Sequence, residues 1–180
     1  MRSTSNVEIL RRAAESAFSE LTNSIDGVTE PQSWARLEQG GKDYLHTDAS
    51  ILGIVLHVAS AKLMYASAAF RQLELNWRSV AEKVEAIEPN WERSVELHHE
   101  AQAYWLRSWE GITDEELESE CPTIWGATWP AWRVIQAMTH HDAYHAGQIA
   151  VLRYAVSESS VPPASVAEDI REHCSSLPTW

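Results

Sequence analysis

A pair of histidines in the segment THHDAYHAGQIAVLR is the feature of this sequence best suited to chemistry. His141 and His145 are four residues apart, so on an expected helix they lie one turn above the other. The rest of their stripe is apolar and consists of Val134, Met138, Ile149 and Leu152. Imidazole nitrogens placed in this way can bind one metal ion at about 2.0–2.1 Å. The spacing alone is weak evidence in a chain with eight histidines, but two buried imidazoles each need a partner, and a shared ion satisfies both.

His57, in the segment IVLHVASA, is the best candidate for a third ligand. It lies in the middle of the most apolar part of the chain, on a face with Ile54, Ala61 and Met64. A single histidine in such a place is usually a hydrogen-bonded core residue, and the pair further along the chain is what favours a ligand. The other histidines are interpreted as solvated or as partners of a ligand, with His99 the first to test as a fourth ligand: His46, His98, His99, His140 and His173.

Three residues of the same segment are expected beside the histidine pair. Gln148 follows His145 by three positions, so it either orients a ligand or substrate or packs between helices. Tyr144 could place a phenol at the edge of the site. Asp142 makes HDAYH similar to the H-E-x-x-H of zinc peptidases, but an aspartate is one methylene too short for the general base of those enzymes. We therefore expect Asp142 to contact a ligand or to be solvated.

Four helical segments would position these residues, and no segment alternates with the period of a strand. The expected helices span about 6–25, 48–73, 90–110 and 130–156, with Asp48 as the N-cap of the second and Pro130 opening the fourth. Residues 74–88 are expected to be partly helical. The pattern predicts an all-α four-helix bundle, formed by a single domain over residues 1–180 with long connections after helices 1 and 2. The tail 157–180 is expected to be irregular, with a short helix near Ser165–His173.

The composition argues against several classes of partner and location. Fourteen basic and 26 acidic residues give a formal net charge of −12, with no basic cluster, which argues against binding to nucleic acid or to an anionic membrane. No apolar run is expected to cross a bilayer, and the N-terminus reads as an amphipathic helix rather than a signal peptide, so the expected location is cytoplasmic. Cys121 and Cys174 match no metal-binding or redox spacing and are expected to be reduced thiols.

The segments LHVASAKLMY and THHDAYHAGQIAVLR together resemble the DinB-like (YfiT-type) family of small metal-binding proteins. Members take one histidine from the second helix and two from an H-x-x-x-H in the fourth, followed by a motif that Gly147-Gln148-Ile149 matches here. The resemblance covers essentially the whole chain and implies His57, His141 and His145 as ligands of a divalent metal, zinc or nickel. It also implies a bundle that is often dimeric. The long tail after about Ser157 departs from some members.

The same resemblance suggests a function. Some members are similar to enzymes that transfer or use low-molecular-weight thiols such as bacillithiol or mycothiol. Three neutral imidazoles would leave a divalent ion with its full charge and an open position, where a thiol or a water becomes a nucleophile near neutral pH. We expect a homodimeric S-transferase whose partners are a small thiol and a small electrophile. A metal-dependent hydrolase and a non-enzymatic metal-binding or stress-associated protein remain alternatives.

Overall fold

The computed structural model describes residues 4–34, 50–87 and 90–156 and confirms the predicted all-α architecture. The elements in chain order are α1 (Asn6–Ile25), α2 (Glu30–Ser33), α3 (Ile51–Phe70), α4 (Trp77–Glu85), α5 (Trp91–Ser108), a 3₁₀ turn (Glu116–Glu118), β1 (Glu120–Pro122), β2 (Thr128–Pro130) and α6 (Ala131–Val156). The long helices α1, α3, α5 and α6 correspond to the four predicted ones.

Side-chain caps set the starts of three long helices. The side chain of Ser5 accepts a hydrogen bond at the start of α1, Ser50 Oγ accepts from the Gly53 amide at 3.0 Å, and Asn90 Oδ1 accepts from the Arg93 amide at 2.9 Å. These contacts satisfy amides that have no partner within the helix. Ser50 is the N-cap of α3, so the prediction of Asp48 for that role is wrong; residue 48 itself lies outside the described residues.

Helix α3 ends three residues earlier than the sequence pattern predicts. Gln72 and Leu73 have φ angles of 53° and 60°, in the left-handed region that no α-helix can continue through. The Leu73 amide instead donates to the Ser67 carbonyl at 2.9 Å, which closes the end of the helix.

A short antiparallel hairpin precedes α6, and the prediction of no strands is wrong at this point. Cys121 lies opposite Trp129, and Gly126 has a φ of 83° in the connecting turn. Each strand has only three residues, with a proline at the end of each, which is too short for an alternating pattern to be visible. The thiol of Cys121 is free and buried.

The bundle consists of two main helix pairs. Helix α1 packs chiefly against α6, α3 packs chiefly against α5, and the α3–α6 interface is smaller. One apolar cluster joins Ile51 at the start of α3 to Leu152 near the end of α6, and another joins Ala66 to Ala131 at the opposite ends, so α3 and α6 run antiparallel. By length and composition α3 is the one helix of the described residues that could cross a membrane, but it is mostly buried inside the bundle.

Several predictions fall on residues outside the described ranges. These are His46, His173, Cys174 and the short helix near Ser165–His173. They stay predictions.

Candidate metal centre

The described structure brings together the three histidines singled out from the sequence. His57 projects from α3, and His141 and His145 project from successive turns of α6. The Nε2 atom of His141 lies 3.1 Å from Nε2 of His57 and 3.2 Å from Nε2 of His145. The three ligand atoms all lie within 4.8 Å of one another. His145 is buried, whereas His57 and His141 are partly exposed, so solvent reaches one side of the cluster.

A hydrogen bond on the far nitrogen of His145 sets the state of its ring. His145 Nδ1 lies 2.7 Å from Oε1 of Gln148, three residues further along α6. A side-chain carbonyl oxygen only accepts, so Nδ1 carries the proton and donates it. The Nε2 atom of His145 then has a free lone pair directed at the other two imidazoles. Gln148 therefore orients a candidate ligand, one of the two roles considered for it.

The imidazoles of the pair are neutral at physiological pH. Burial, followed by the neighbouring His145, His57 and Lys62 in that order, lowers the pKa of His141 from 6.5 to about 3. Burial also lowers the pKa of His145 to about 4, with a further contribution from His57, while the Gln148 contact opposes this shift. Both rings thus keep a lone pair at neutral pH, and a proton does not compete strongly for it.

The geometry of the cluster fits a divalent ion. Two nitrogens at 2.0–2.1 Å from one ion are about 2.9 Å apart at a right angle and about 3.4 Å apart at a tetrahedral angle. The observed separations of 3.1 and 3.2 Å lie in this range. Without an ion, an Nε2–H of His141 could donate a hydrogen bond to Nε2 of His57 or to Nε2 of His145, but not to both. One cation would instead accept the Nε2 lone pairs of all three histidines. Among the described residues, no fourth His, Cys, Asp or Glu joins the cluster.

The other histidines of the described ranges lie outside this cluster. His140 and His99 are exposed, in line with a solvated role. The expectation that His98 is solvated or assists a ligand is wrong, because its side chain is fully buried on α5 against the ring of Phe18. Tyr144 lies at the edge of the site: its ring centroid is 5.1 Å from that of His145, and about half of the residue is exposed.

Asp142 does not lie where the sequence suggested. Its contact is with Lys62 of α3, whose Nζ is 2.7 Å from Asp142 Oδ2, and both side chains are almost completely buried. Lys62 Nζ also donates to Gln102 Oε1 of α5 at 2.6 Å. Burial lowers the pKa of the Lys62 ammonium and raises that of the Asp142 carboxyl, and each group opposes the shift of the other.

Lys62 was not predicted as part of the site, although the sequence carried a signal for it. Lys62 is the only charged residue of Ile51–Phe70, a helix that is apolar on nearly all sides. A charge in that position must be paired or neutralised, which predicts a buried carboxylate or amide on a neighbouring helix. Asp142, adjacent to His141 on the inward side of α6, is that partner.

Comparisons with known proteins agree with this fold. A model of the DinB superfamily matches residues 8–149. Solved structures of similar fold include a colibactin self-resistance protein, ClbS, with a TM-score of 0.63 and 16% identity over 87% of this chain and 100% of that one. A protein from Streptococcus pneumoniae has a TM-score of 0.60 and 13% identity over 87% and 94% of the two chains. An uncharacterized protein from Clostridium difficile 630 has a TM-score of 0.59 and 13% identity over 86% of this chain and 99% of that one. No curated protein matches the sequence significantly.

One of these comparisons corrects the prediction about partners. The ClbS structure is a complex with double-stranded DNA. The prediction that excluded nucleic acid from the net charge of −12 is therefore wrong. Net charge sums the whole surface, whereas contact with phosphates depends on where individual Lys and Arg side chains lie.

Proposed function

Because the chain belongs to the DinB superfamily, we propose that it is a divalent-metal-dependent protein whose ion is held by Nε2 of His57, His141 and His145. The observation that carries the proposal is the convergence of these three nitrogens from two helices, at 3.1 and 3.2 Å around His141. Zinc and nickel are the preferred ions, because both bind neutral imidazole well.

The chemistry proposed for this site is the transfer of a small thiol to a small electrophile. When bound, the ion would supply a positive charge that lowers the pKa of a thiol reaching it. The thiol proton passes to solvent, the sulfur forms a bond to an electrophilic carbon of the second substrate, and the bond from that carbon to a leaving group such as a halide breaks, so that the leaving group departs with the electron pair. The chain contributes three neutral imidazoles, the Gln148 contact that orients His145, and a partly exposed side at His57 and His141 through which substrates enter.

Metal binding is tested first. Purified protein is stripped with a chelator, reloaded with Zn²⁺ or Ni²⁺, and its metal content is measured by elemental analysis. We expect one ion per chain in the wild type and in His140→Ala, an exposed neighbour on the same helix. His145→Ala should lose the ion. Equal metal content in His145→Ala and His140→Ala would contradict the assignment.

Activity is tested on protein of known metal content. A bimane halide, which becomes fluorescent on forming a thioether, is incubated with bacillithiol, mycothiol or glutathione. We expect metal-dependent product formation with at least one thiol, lost in His145→Ala and kept in His140→Ala. Product formation that is independent of metal would contradict S-transfer at this site.

Two alternatives use the same ion differently. A hydrolase would cleave a chromogenic ester in the absence of any thiol, since water takes the place of the sulfur nucleophile. A non-enzymatic metal protein would show neither activity while still losing its ion in His145→Ala. Among the described residues no fourth His, Cys, Asp or Glu joins the cluster, which favours an exchangeable position on the ion and therefore S-transfer or hydrolysis over a non-enzymatic role.

Binding to duplex DNA is a second candidate, and the complex of ClbS with double-stranded DNA favours it. It is tested by the fluorescence anisotropy of a short labelled duplex over a series of salt concentrations. Binding that weakens steadily with salt is expected if phosphates are contacted. No anisotropy change at the lowest salt concentration would exclude it.

A further inference from the structure

Lys62 lies at the centre of the bundle and contacts all three of the other long helices. Its Nζ atom is 2.7 Å from Asp142 Oδ2 on α6 and 2.6 Å from Gln102 Oε1 on α5. The same atom is 4.4 Å from the ring centroid of Phe18 on α1. The side chain has no exposed surface. A single ammonium group thus contacts one residue on each of the long helices α1, α5 and α6.

The Lys62–Asp142 pair also joins the two helices that carry the candidate ligands. Lys62 is five residues beyond His57, which is about 7.5 Å along α3. Asp142 directly follows His141 on α6. The histidine cluster and the ion pair are therefore two contacts across the same α3–α6 interface, and this interface is smaller than those within the two main helix pairs.

Stability does not account for such a pair. Removing two charges from water costs about as much as their attraction returns, so a well-packed apolar pair is often as stable or more stable. What a buried polar pair does provide is a single allowed register, because any sliding of one helix along the other separates the two buried charges. Apolar contacts between α3 and α6 tolerate such sliding better.

We infer that Lys62 and Asp142 are positioning residues that hold α3 and α6 in the one register at which His57 meets His141 and His145. The inference rests on the metal site proposed above. The pair touches no ion itself. Its effect is to present three imidazoles already arranged, so that binding requires no rearrangement of the helices.

The test replaces the pair with apolar residues of similar size, Lys62→Met with Asp142→Leu. The urea midpoint of the metal-free variant should equal or exceed that of the wild type. Its affinity for Zn²⁺, measured by competition with a chromophoric chelator, should fall by about 10- to 100-fold. The visible absorption of the Co²⁺-substituted protein should change as well, because coordination geometry changes with register.

Two further variants make the result specific. Ser67 lies on the same helix as Lys62, and its buried hydroxyl donates to the Leu75 carbonyl at 2.8 Å and accepts from the Leu75 amide at 2.7 Å. Ser67→Ala removes these two bonds, neither of which is to α6, and should leave the Zn²⁺ affinity unchanged. Asp142→Asn keeps the shape and an oxygen that can accept from Lys62, so it should retain most of the affinity that the double variant loses.

The outcomes separate this inference from the proposed function. If the wild type and Ser67→Ala bind Zn²⁺ and the double variant binds it equally well with an unchanged Co²⁺ spectrum, the positioning role is overturned while the metal site stands. A double variant that fails to fold also overturns it, because the pair would then be needed for the fold itself. Failure of the wild type to bind any metal would remove both proposals.

Discussion

Gln148 Oε1 lies 2.7 Å from Nδ1 of His145, the ring nitrogen that does not face the other two histidines. Histidines that bind metals commonly donate their second N–H to an oxygen in this way, which fixes the tautomer and the direction of the ring. The contact lies within one turn of α6, so the Gly147-Gln148-Ile149 motif supplies the orienting residue locally.

Removing this acceptor should weaken metal binding. We expect Gln148→Leu to lower the Zn²⁺ affinity by about 10- to 100-fold, because His145 Nδ1 is left without its partner. Gln148→Glu keeps an acceptor oxygen and should bind Zn²⁺ at least as tightly as the wild type. Both affinities are measured by chelator competition, and equal affinity in all three proteins would contradict the role of Gln148.

His98 should make the metal-free protein sensitive to acid. Burial, with Lys62 and then His99, lowers the pKa of His98 from 6.5 to about 3 in the folded state. Between these two values the unfolded chain binds a proton that the folded chain does not. The free energy of unfolding therefore falls as pH falls below 6.5, by about 1.4 kcal/mol per pH unit for this group alone.

Urea unfolding between pH 7.5 and pH 5, in the presence of a chelator, measures this dependence. His98→Leu should reduce the slope of stability against pH, while other buried histidines keep contributing in the same direction. His99→Gln, at the exposed neighbouring position, should leave the slope nearly as it is in the wild type. An unchanged slope in His98→Leu would mean that His98 titrates alike in both states.

Removing one charge of the Lys62–Asp142 ion pair should destabilise the fold far more than removing both charges together. Lys62→Met leaves a buried carboxylate at Asp142, and Asp142→Leu leaves a buried ammonium, so each should cost about 3–5 kcal/mol of unfolding free energy. The double variant should lie close to the wild type. Urea unfolding of the four proteins gives the coupling energy, and additive single effects would contradict direct pairing.

Metal removal should leave the helices intact. Three clusters of buried apolar side chains form the core, so we expect the chain to fold without an ion. We expect an unchanged far-ultraviolet circular dichroism spectrum after chelation. Zn²⁺ at about 100-fold excess over Kd should add about 2.7 kcal/mol, or roughly 5–10 °C in Tm. Loss of helical signal on chelation would instead favour a structural ion.

The helices and the three histidines were predictable because both depend on local periodicity. Apolar spacing located α1 at its observed ends and α6 to within one residue, and the four-residue spacing placed His141 and His145 on one face. The meeting with His57 followed from the expectation that two apolar faces pack together and from the resemblance to the DinB-like family. The three-residue strands around Cys121 and Trp129 were not predictable, since their pairing has no periodic signature.

The polar centre of the bundle was not predicted because it depends on contacts between distant segments. Lys62 and Asp142 are on different helices, and periodicity does not indicate which charges on two helices will meet. His98 was interpreted as solvated or as a partner of a ligand because it lacks an apolar stripe of partners in the sequence. Its ring is instead buried against Phe18 of α1, with Lys62 of α3 close enough to lower its pKa. Burial of a polar residue follows from the tertiary arrangement, not from its local sequence.

The histidine cluster joins residues 84 positions apart, and this separation has a kinetic consequence. His141 and His145 form an incomplete two-nitrogen site as soon as one helix is wound, whereas His57 arrives only when the opposing half of the chain docks. An ion present during refolding would therefore bind weakly to the two histidines of α6 at first, and its affinity would rise only when His57 joins them. The moment at which it becomes resistant to a chelator would time the docking of the two halves.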